Sequence, residues 1–307
     1  MESIQAGFFL KQFDELAEKP QRVILFGAGG QLGQQVSASR PENVELHAYS
    51  HAEADICDQQ QLQNLFEELQ PSCIINTAAY TQVDAAEQHP EMAFAVNADA
   101  PGLIAATCPD TCRIIHISTD FVFDGLKQQA YSPEDEGRPV NVYGLSKLQG
   151  EENILLRRPD SLILRTAWLY SGEGKNFLTT MLRLMSEKES LNVVDDQRGT
   201  PTSVNSLAHV IWRFVAKHDL QGIYHWTDQG EASWFEFACE IQRQALALDL
   251  LEKKIPVHPV STDEYPTPAK RPANSVLDKE ETCKIIQYKG NAWQDELKET
   301  LQHLLPY

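Results

Sequence analysis

The stretch RVILFGAGGQLGQQV, Arg22 to Val36, decides the fold. Its apolar run Val23 to Phe26 predicts a strand; Gly27, Gly30 and Gly33 follow at three-residue spacing, and a polar helical pattern follows them. This is strand, tight turn, helix. Glycines let the backbone take unusual φ values and approach a pyrophosphate closely, while the start of a helix supplies unpaired N–H groups and a partial positive charge. The spacing is GxxGxxG and not GxGxxG, because Leu32 stands where the commoner fingerprint has its last glycine. The same glycines also read as those of an ordinary loop.

Outward from that turn, residues 1–20 carry Phe9, Phe13 and Leu16 at helical spacing among Lys11, Asp14, Glu15 and Glu18. They read as a short surface helix, too acidic for a targeting peptide. On the other side, a second strand is predicted over Val44 to Ala48, and the residue meeting an adenosine ribose lies at or just past its end. There the chain reads Tyr49-Ser50-His51, with no acid until Glu53. A carboxylate would repel a 2′-phosphate, so its absence permits NADPH, although Ser50 and His51 also read as solvated loop. Asp55 and Ile56 form a candidate edge for the adenine.

A third strand, Cys73 to Asn76, empties into small residues that leave room for a cofactor. Two helical stretches follow, with Asn97 near the end of the first. It either cross-links or caps the backbone, or interrupts the helix and holds a water. In RIIHISTDFVFDG, the apolar run Arg113 to Ile117 predicts a strand covered on both faces, ending in Ser118-Thr119-Asp120. Hydroxyls at such an edge point into the crevice where α/β sheets bind ligands, though a Ser/Thr pair also caps. After an excursion marked by Asp124-Gly125 and Pro133 comes NVYGLSKLQGEENILL, in which Tyr143 and Lys147 lie four apart on an amphipathic helix. An ammonium beside a phenol favours the phenolate and brings the group toward neutrality, where it can exchange a proton with a carbonyl or alcohol.

The 307 residues suffice for one large α/β core or two smaller ones, and no stretch reads as a membrane span or cleaved signal. Six cysteines without paired-ligand spacing suit reduced thiols in a cytoplasm. A formal charge of −18 argues against nucleic acid or an anionic membrane as partner.

The glycine turn, the strand ending in STDFVFDG and the helix opening VYGLSKLQGE resemble, in that order, the extended short-chain dehydrogenase/reductase superfamily. NTAAYTQVDAAE, VNADAPGLIA, RTAWLYSGEGKNF, VVDDQRGTPTS, GIYHWTDQGEASWFEFA and RPANSVLD are similar to the dTDP-4-dehydrorhamnose reductase family, over about residues 21 to 280. In that family a Thr/Tyr/Lys triad reduces the C4 ketone of dTDP-4-dehydro-L-rhamnose with hydride from a reduced nicotinamide. The resemblance implies that Thr119 holds the ketone oxygen, Tyr143 protonates it, and Lys147 binds the nicotinamide ribose while lowering the tyrosine's pKa. Asn97 matches a proton-relay position. Gly27, Gly30, Gln31, Leu32 and Gly33 match the pyrophosphate loop, Ser50 and His51 the ribose edge, Asp55 and Ile56 the adenine edge, and Ala78, Ala79 and Tyr80, with Tyr143 and Lys147, the rest of the cofactor site.

For the substrate the resemblance implies Thr119, Asp120 and Phe121, with Trp168 as a flat wall against a sugar or thymine ring, though a strand Trp also reads as core. Asn176 opens a helix of the substrate lobe, Gln197 belongs to a polar loop with Gly199, Thr200 and Pro201, and Arg271 offers a two-pronged grip on a diphosphate. Some members dimerise through magnesium held by glutamates; the nearest positions here carry Gln35, Ser190 and Gln294, so no metal is expected.

The expectation is therefore an α/β protein: a doubly wound parallel sheet (Rossmann) with a smaller C-terminal substrate-binding lobe. The dinucleotide-binding part takes 21–171 and 203–226, the lobe 172–202 and 227–307, after an extension over 1–20. The expected activity is NADPH-dependent reduction of a dTDP-linked deoxysugar, with NADH possible, by a cytoplasmic monomer or homodimer. Two competitors stand beside it. One is a nucleotide-sugar dehydratase or epimerase that retains its NAD; the other is a non-catalytic regulatory subunit of the methionine adenosyltransferase type.

Overall fold

The structure, a computed structural model, describes residues 21–305. The helix expected within 1–20 lies outside them.

Six strands form the central sheet: β1 (Gln21–Phe26), β2 (Val44–Tyr49), β3 (Cys73–Asn76), β4 (Arg113–Thr119), β5 (Leu162–Thr166) and β6 (Gly222–His225). All pair in parallel, in the order β2-β1-β3-β4-β5-β6. The chain moves outward from β1 to β2, then crosses back to β3 on the other side of β1. That reversal leaves a crevice beyond the carboxyl ends of β1 and β3, the place where open α/β sheets bind ligands.

The longer helices are α1 (Gln31–Ala38), α2 (Gln59–Leu69), α3 (Ala100–Thr107), α4 (Val142–Arg157), α5 (Phe177–Glu187), α6 (Val204–Ala216), α7 (Trp234–Ala247) and α8 (Trp293–Gln302), of which α1 to α4 and α6 cover the two faces of the sheet. Because strand side chains alternate, β1 sends Val23 and Leu25 to a core shared with α1 and α6, and Ile24 and Phe26 to one shared with α2, α3 and α4. This two-sided burial explains why the strands read as continuous apolar runs. Trp212 of α6 fixes the first layer by donating its indole N–H to the Val36 carbonyl at 3.1 Å.

A third core is built separately from α5, α7 and α8, around Tyr170, Leu178, Met185, Phe237, Ile241 and Leu297. Its helices start firmly: Asn176 and Thr179 form a capping box on α5, Ser233 and Glu236 another on α7. The segment KRPANSVLD runs between the two parts as a strap. Arg198 N donates to Ala273 O, Ser275 N to Arg198 O and Tyr131 N to Val276 O, each at 2.8 Å.

Polar residues buried in the sheet gather near the carboxyl ends: Asn76, His116, Ser118, Thr119, Arg165 and Thr166. Glu151 of α4 and Arg165 form a buried ion pair, at 2.6 Å between Arg165 Nη2 and Glu151 Oε2, and the Ser118 hydroxyl donates to the same carboxylate. Unpaired, either charge would be costly at this depth; paired, they lock α4 to β4 and β5.

Candidate active site

Gly27 leaves β1 in the left-handed region, at φ +84°, and a Cβ there would lie 2.5 Å from Ala78 N. A Cβ on Gly33 would lie 2.1 Å from Gly27 O. The turn can therefore close against the exit of β3 only without side chains. Gly30 is the N-cap of α1 and supplies no side-chain cap, and the nearest atom to a Cβ there is 3.4 Å away. The N–H groups opening α1 are thus left for an anion. The Gln31 side chain turns away, accepting from Ser171 Oγ at 3.1 Å, and Leu32 is buried in the core. Toward a ligand these two positions present backbone only.

At the end of β2 the first acid past the strand, Glu53, reaches the edge that Tyr49, Ser50 and His51 leave without one. Glu53 folds back, and its carboxylate accepts from Ser50 N at 2.8 Å and Ser50 Oγ at 2.6 Å. Those bonds hold the Glu53 pKa below its ordinary value. His51 is exposed, 3.9 Å from Asp55, whose Oδ1 accepts from Cys57 N. Ile56 is a core residue packed with Ile24 and Phe26, so Asp55 alone of that pair is left partly exposed.

Past β3, Asn97 both cross-links the backbone and stands where the helix is interrupted. Its Oδ1 accepts from Tyr80 N at 2.8 Å, while its Nδ2 donates to Tyr80 O and to Ser146 Oγ, both at 3.0 Å. It sits in a π-helical turn, Ala95–Asp99, whose bulge brings the Asn97 carbonyl against α4. A Cβ on Gly150 would lie 2.0 Å from that oxygen. Asn97 thereby seats Ala78, Ala79 and Tyr80 against the helix that carries Tyr143.

Asn141 caps α4 by accepting from Gly144 N at 2.7 Å, which fixes the first turn and with it Tyr143. The Tyr143 phenol faces Thr119, at the end of β4, near enough for the threonine to lower its pKa. Thr119 Oγ1 in turn donates to Asp120 Oδ1 at 2.9 Å, and Phe121 packs edge-on against the Tyr143 ring with centroids 5.6 Å apart. Burial pushes Tyr143 up to about 12, partly offset by Thr119 and reinforced by the charge of Asp120. Asp120 is itself pushed up to about 6 by burial, partly offset by the Ser275 and Thr119 hydroxyls.

The expected tuning of Tyr143 by Lys147 is therefore corrected for this geometry. Lys147 lies one turn further along α4, but its Nζ donates to the Ile117 carbonyl at 2.7 Å and lies 3.1 Å from His116 Nε2. Burial lowers its pKa to about 8, against the opposing influence of Glu151.

On the lobe side, Trp168 has φ +48° and lies flat on Trp234, with centroids 3.5 Å and planes 5° apart. A wall for a ring ligand needs an open face, and Trp234 covers one. A Cβ on Gly199 would lie 2.4 Å from Trp168 Cε2, which is why that position is glycine. Asn176 spends its side chain on the α5 cap and on Ser171 O, at 2.9 Å. Gln197 donates to Thr262 Oγ1 at 3.0 Å. Arg271 is engaged bidentately by Asp84, at 3.1 and 2.8 Å. The diphosphate grip expected of it is occupied by a carboxylate, and Asn176 and Gln197 likewise spend the expected substrate contacts on protein partners.

A family model for the RmlD substrate binding domain matches residues 21–305. The dTDP-4-dehydrorhamnose reductase of Aggregatibacter actinomycetemcomitans is 39% identical over 285 residues, covering 90% of this chain and 97% of that protein. The chain belongs to the dTDP-4-dehydrorhamnose reductase family. The reductase of Escherichia coli K12 is 34% identical, with 92% of this chain and 97% of that one covered. Among solved structures, the dTDP-4-dehydrorhamnose reductase of Bacillus anthracis, in complex with NADP, superposes with TM-score 0.86 at 35% identity, over 92% of this chain and 99% of that one. A UDP-glucose 4-epimerase of Thermus thermophilus, at 17% identity and TM-score 0.78, shows the shared fold alone.

Within the dTDP-4-dehydrorhamnose reductase family frame, the geometry brings together Thr119, Asp120, Phe121, Tyr143 and Lys147 at one sheet edge and opposes the glycine turn to Ala78. Sequence reasoning missed His116, Asn76 and Glu53. His116 left a signal, a polar residue inside an otherwise apolar strand; Glu53 was visible as the first acid past β2, but its reach back over three residues was not. Among the described residues no group of three or more His, Cys, Asp or Glu gathers to hold a metal, and no helix is long and apolar enough to cross a membrane.

Proposed function

We propose that this chain reduces the C4 ketone of dTDP-4-dehydro-L-rhamnose to dTDP-L-rhamnose with NADPH, NADH being accepted as well. The observation that carries the reading is the placing of Thr119 and Tyr143 side by side at the carboxyl end of β4, beside the crevice onto which the glycine turn opens. The unfilled N-terminus of α1 and the side-chain-free surfaces of Gly27, Gly30 and Gly33 fit a dinucleotide pyrophosphate. Ser50, His51 and Asp55 would border its adenosine, and Ala78 and Ala79 would floor it. A bound reduced nicotinamide supplies the hydride. Thr119 holds the ketone oxygen once its hydroxyl turns its one proton from Asp120 to the substrate. Tyr143, which keeps its proton at neutral pH yet remains a stronger acid than an alcohol, donates it as that oxygen becomes negative. Lys147 binds the nicotinamide ribose when its head group leaves β4.

The preference for NADPH rests on family membership. The Glu53 carboxylate at the ribose edge favours a free 2′-hydroxyl and is the reason to expect NADH to compete. Residues 172–202 and 227–307 are proposed to bind the sugar nucleotide, with Arg271 exchanging Asp84 for the diphosphate. Six free thiols suit the cytoplasm, and the working unit is a monomer or homodimer.

The test is consumption of NADPH and NADH with the dTDP-linked ketosugar beside its UDP and GDP counterparts. Net oxidation with the dTDP sugar is expected. A dehydratase or epimerase that retains NAD would oxidise none of the added cofactor, and that outcome would remove the reading.

A further inference from the structure

His116 is fully buried on β4, and both of its ring nitrogens are engaged. Nδ1 lies 3.1 Å from Asn76 Nδ2, its neighbour in the β3–β4 register, and Nε2 lies 3.1 Å from Lys147 Nζ. Asn76 has one amide orientation that suits its surroundings, because its Oδ1 accepts the Ala78 N–H at 3.1 Å and leaves Nδ2 facing the ring. An amide NH2 only donates, so Nδ1 carries a lone pair and the ring proton sits on Nε2. That N–H points at Lys147. An ammonium has no lone pair with which to accept it; a neutral amine does.

We infer that His116, held by Asn76 with its proton on Nε2, is a positioning residue that parks Lys147 as a neutral amine and releases it toward Tyr143 once the amine is protonated. The inference rests on the proposed role of Lys147 in reduction. The other charged or titratable groups around the amine are Glu151 on its own helix, tied to Arg165 of β5, then Tyr143 one turn back and Asp120 beyond the end of β4. Burial and the nearby Lys147 hold His116 far below its ordinary pKa, so the ring stays neutral. Lys147, lowered to about 8, changes state in the range where enzymes work.

The proton balance of a turnover follows. Tyr143 gives its proton to the substrate oxygen, and the Lys147 ammonium returns one to the phenolate. The resulting neutral amine docks on the His116 Nε2–H, and solvent water restores the proton it lost. His116 ends each cycle as it began.

Two measurements test this. In ligand-free protein labelled with 15N-histidine and assigned through its backbone, the His116 ring should show a protonated Nε2 and a bare Nδ1. A bare Nε2 with a protonated Nδ1 would overturn the inference, since an ammonium could then rest on the ring. In the second, Asn76→Asp supplies a carboxylate that accepts from Nδ1–H and frees Nε2 to accept from the ammonium. Its alkaline limb of kcat against pH should move up by about one unit. His116→Phe, which removes the donor to the amine, should move it the same way, and Asn76→Asp should add nothing in that background. Additive shifts, or limbs that stay in place, would overturn the inference. Should Asn76→Asp not fold, the wild-type spectrum and His116→Phe still decide. The expected tautomer in a chain that reduces no sugar nucleotide would count against the proposed function alone; the opposite tautomer in an active chain would count against this inference alone.

Discussion

Tyr143 is held in a contest that sets its chemistry. Desolvation drives the phenol up to about 12, Thr119 pulls it back, and Asp120 pushes it further. Lys147 is spent on Ile117 and His116. Tyr143→Phe removes the one proton placed for the substrate oxygen while keeping the ring against Phe121. Turnover should fall by about 10²- to 10⁴-fold, with stability changed by no more than about 1 kcal/mol. Initial rates and a melting curve check both, and a variant that keeps near wild-type rate removes Tyr143 as the acid. At this scale the Tyr143–Lys147 spacing was legible because a helix repeats every four residues or so. The direction of the Lys147 head group was not, because it depends on a histidine thirty-one residues away. Arg271 likewise reads as a phosphate ligand until Asp84, distant by 187 residues, is seen in its fork.

Among the elements, the turn from β1 to α1 is the most constrained. Gly33→Ala would set a methyl 2.1 Å from the Gly27 carbonyl, and backbone cannot yield as the end of a flexible side chain can. The variant should lose about 2 kcal/mol or more and bind NADPH more weakly, read by denaturant titration and by nucleotide fluorescence. Wild-type stability with full affinity would show that the turn is looser than described. Strands β1, β3 and β4 were readable from sequence because burial on both faces makes them largely apolar. The π-helical turn at Asn97 was not, for its cause is the close approach to Gly150, a tertiary event with no local pattern. Nor was the positive φ of Trp168, which the stack on Trp234 and the absence of a side chain at Gly199 accommodate.

For the molecule as a whole, buried ionisable groups make stability depend on pH in opposing senses. His225 of β6 is fully buried, and its Nδ1–H is shared by the carbonyls of Tyr131 and Asp278, at 3.1 Å each, where the excursion after β4 meets the strap. Burial lowers its pKa from 6.5 to about 3. Because the folded value is the lower one, its contribution is complete above about pH 6.5 and is lost as pH falls toward 3. Asp120 and Asp228, raised to about 6 and about 7, contribute at low pH and lose that contribution as pH rises through those values. The stability of the wild type relative to His225→Gln should therefore be greatest at neutral pH and shrink on acidification, as urea titrations at several pH values would show. A gap that widens on acidification would mean that the ring is charged in the fold.

The claim on which the rest stands is that this crevice delivers hydride to a sugar carbon while Tyr143 protonates the oxygen on it. The direct measurement is turnover of dTDP-4-dehydro-L-rhamnose with NADPH carrying deuterium at the transferable position, followed by NMR of the sugar. The expected product is dTDP-L-rhamnose with deuterium at C4, with one NADPH oxidised per molecule formed. Product without deuterium at C4, or a ketosugar left untouched by folded protein, would contradict it.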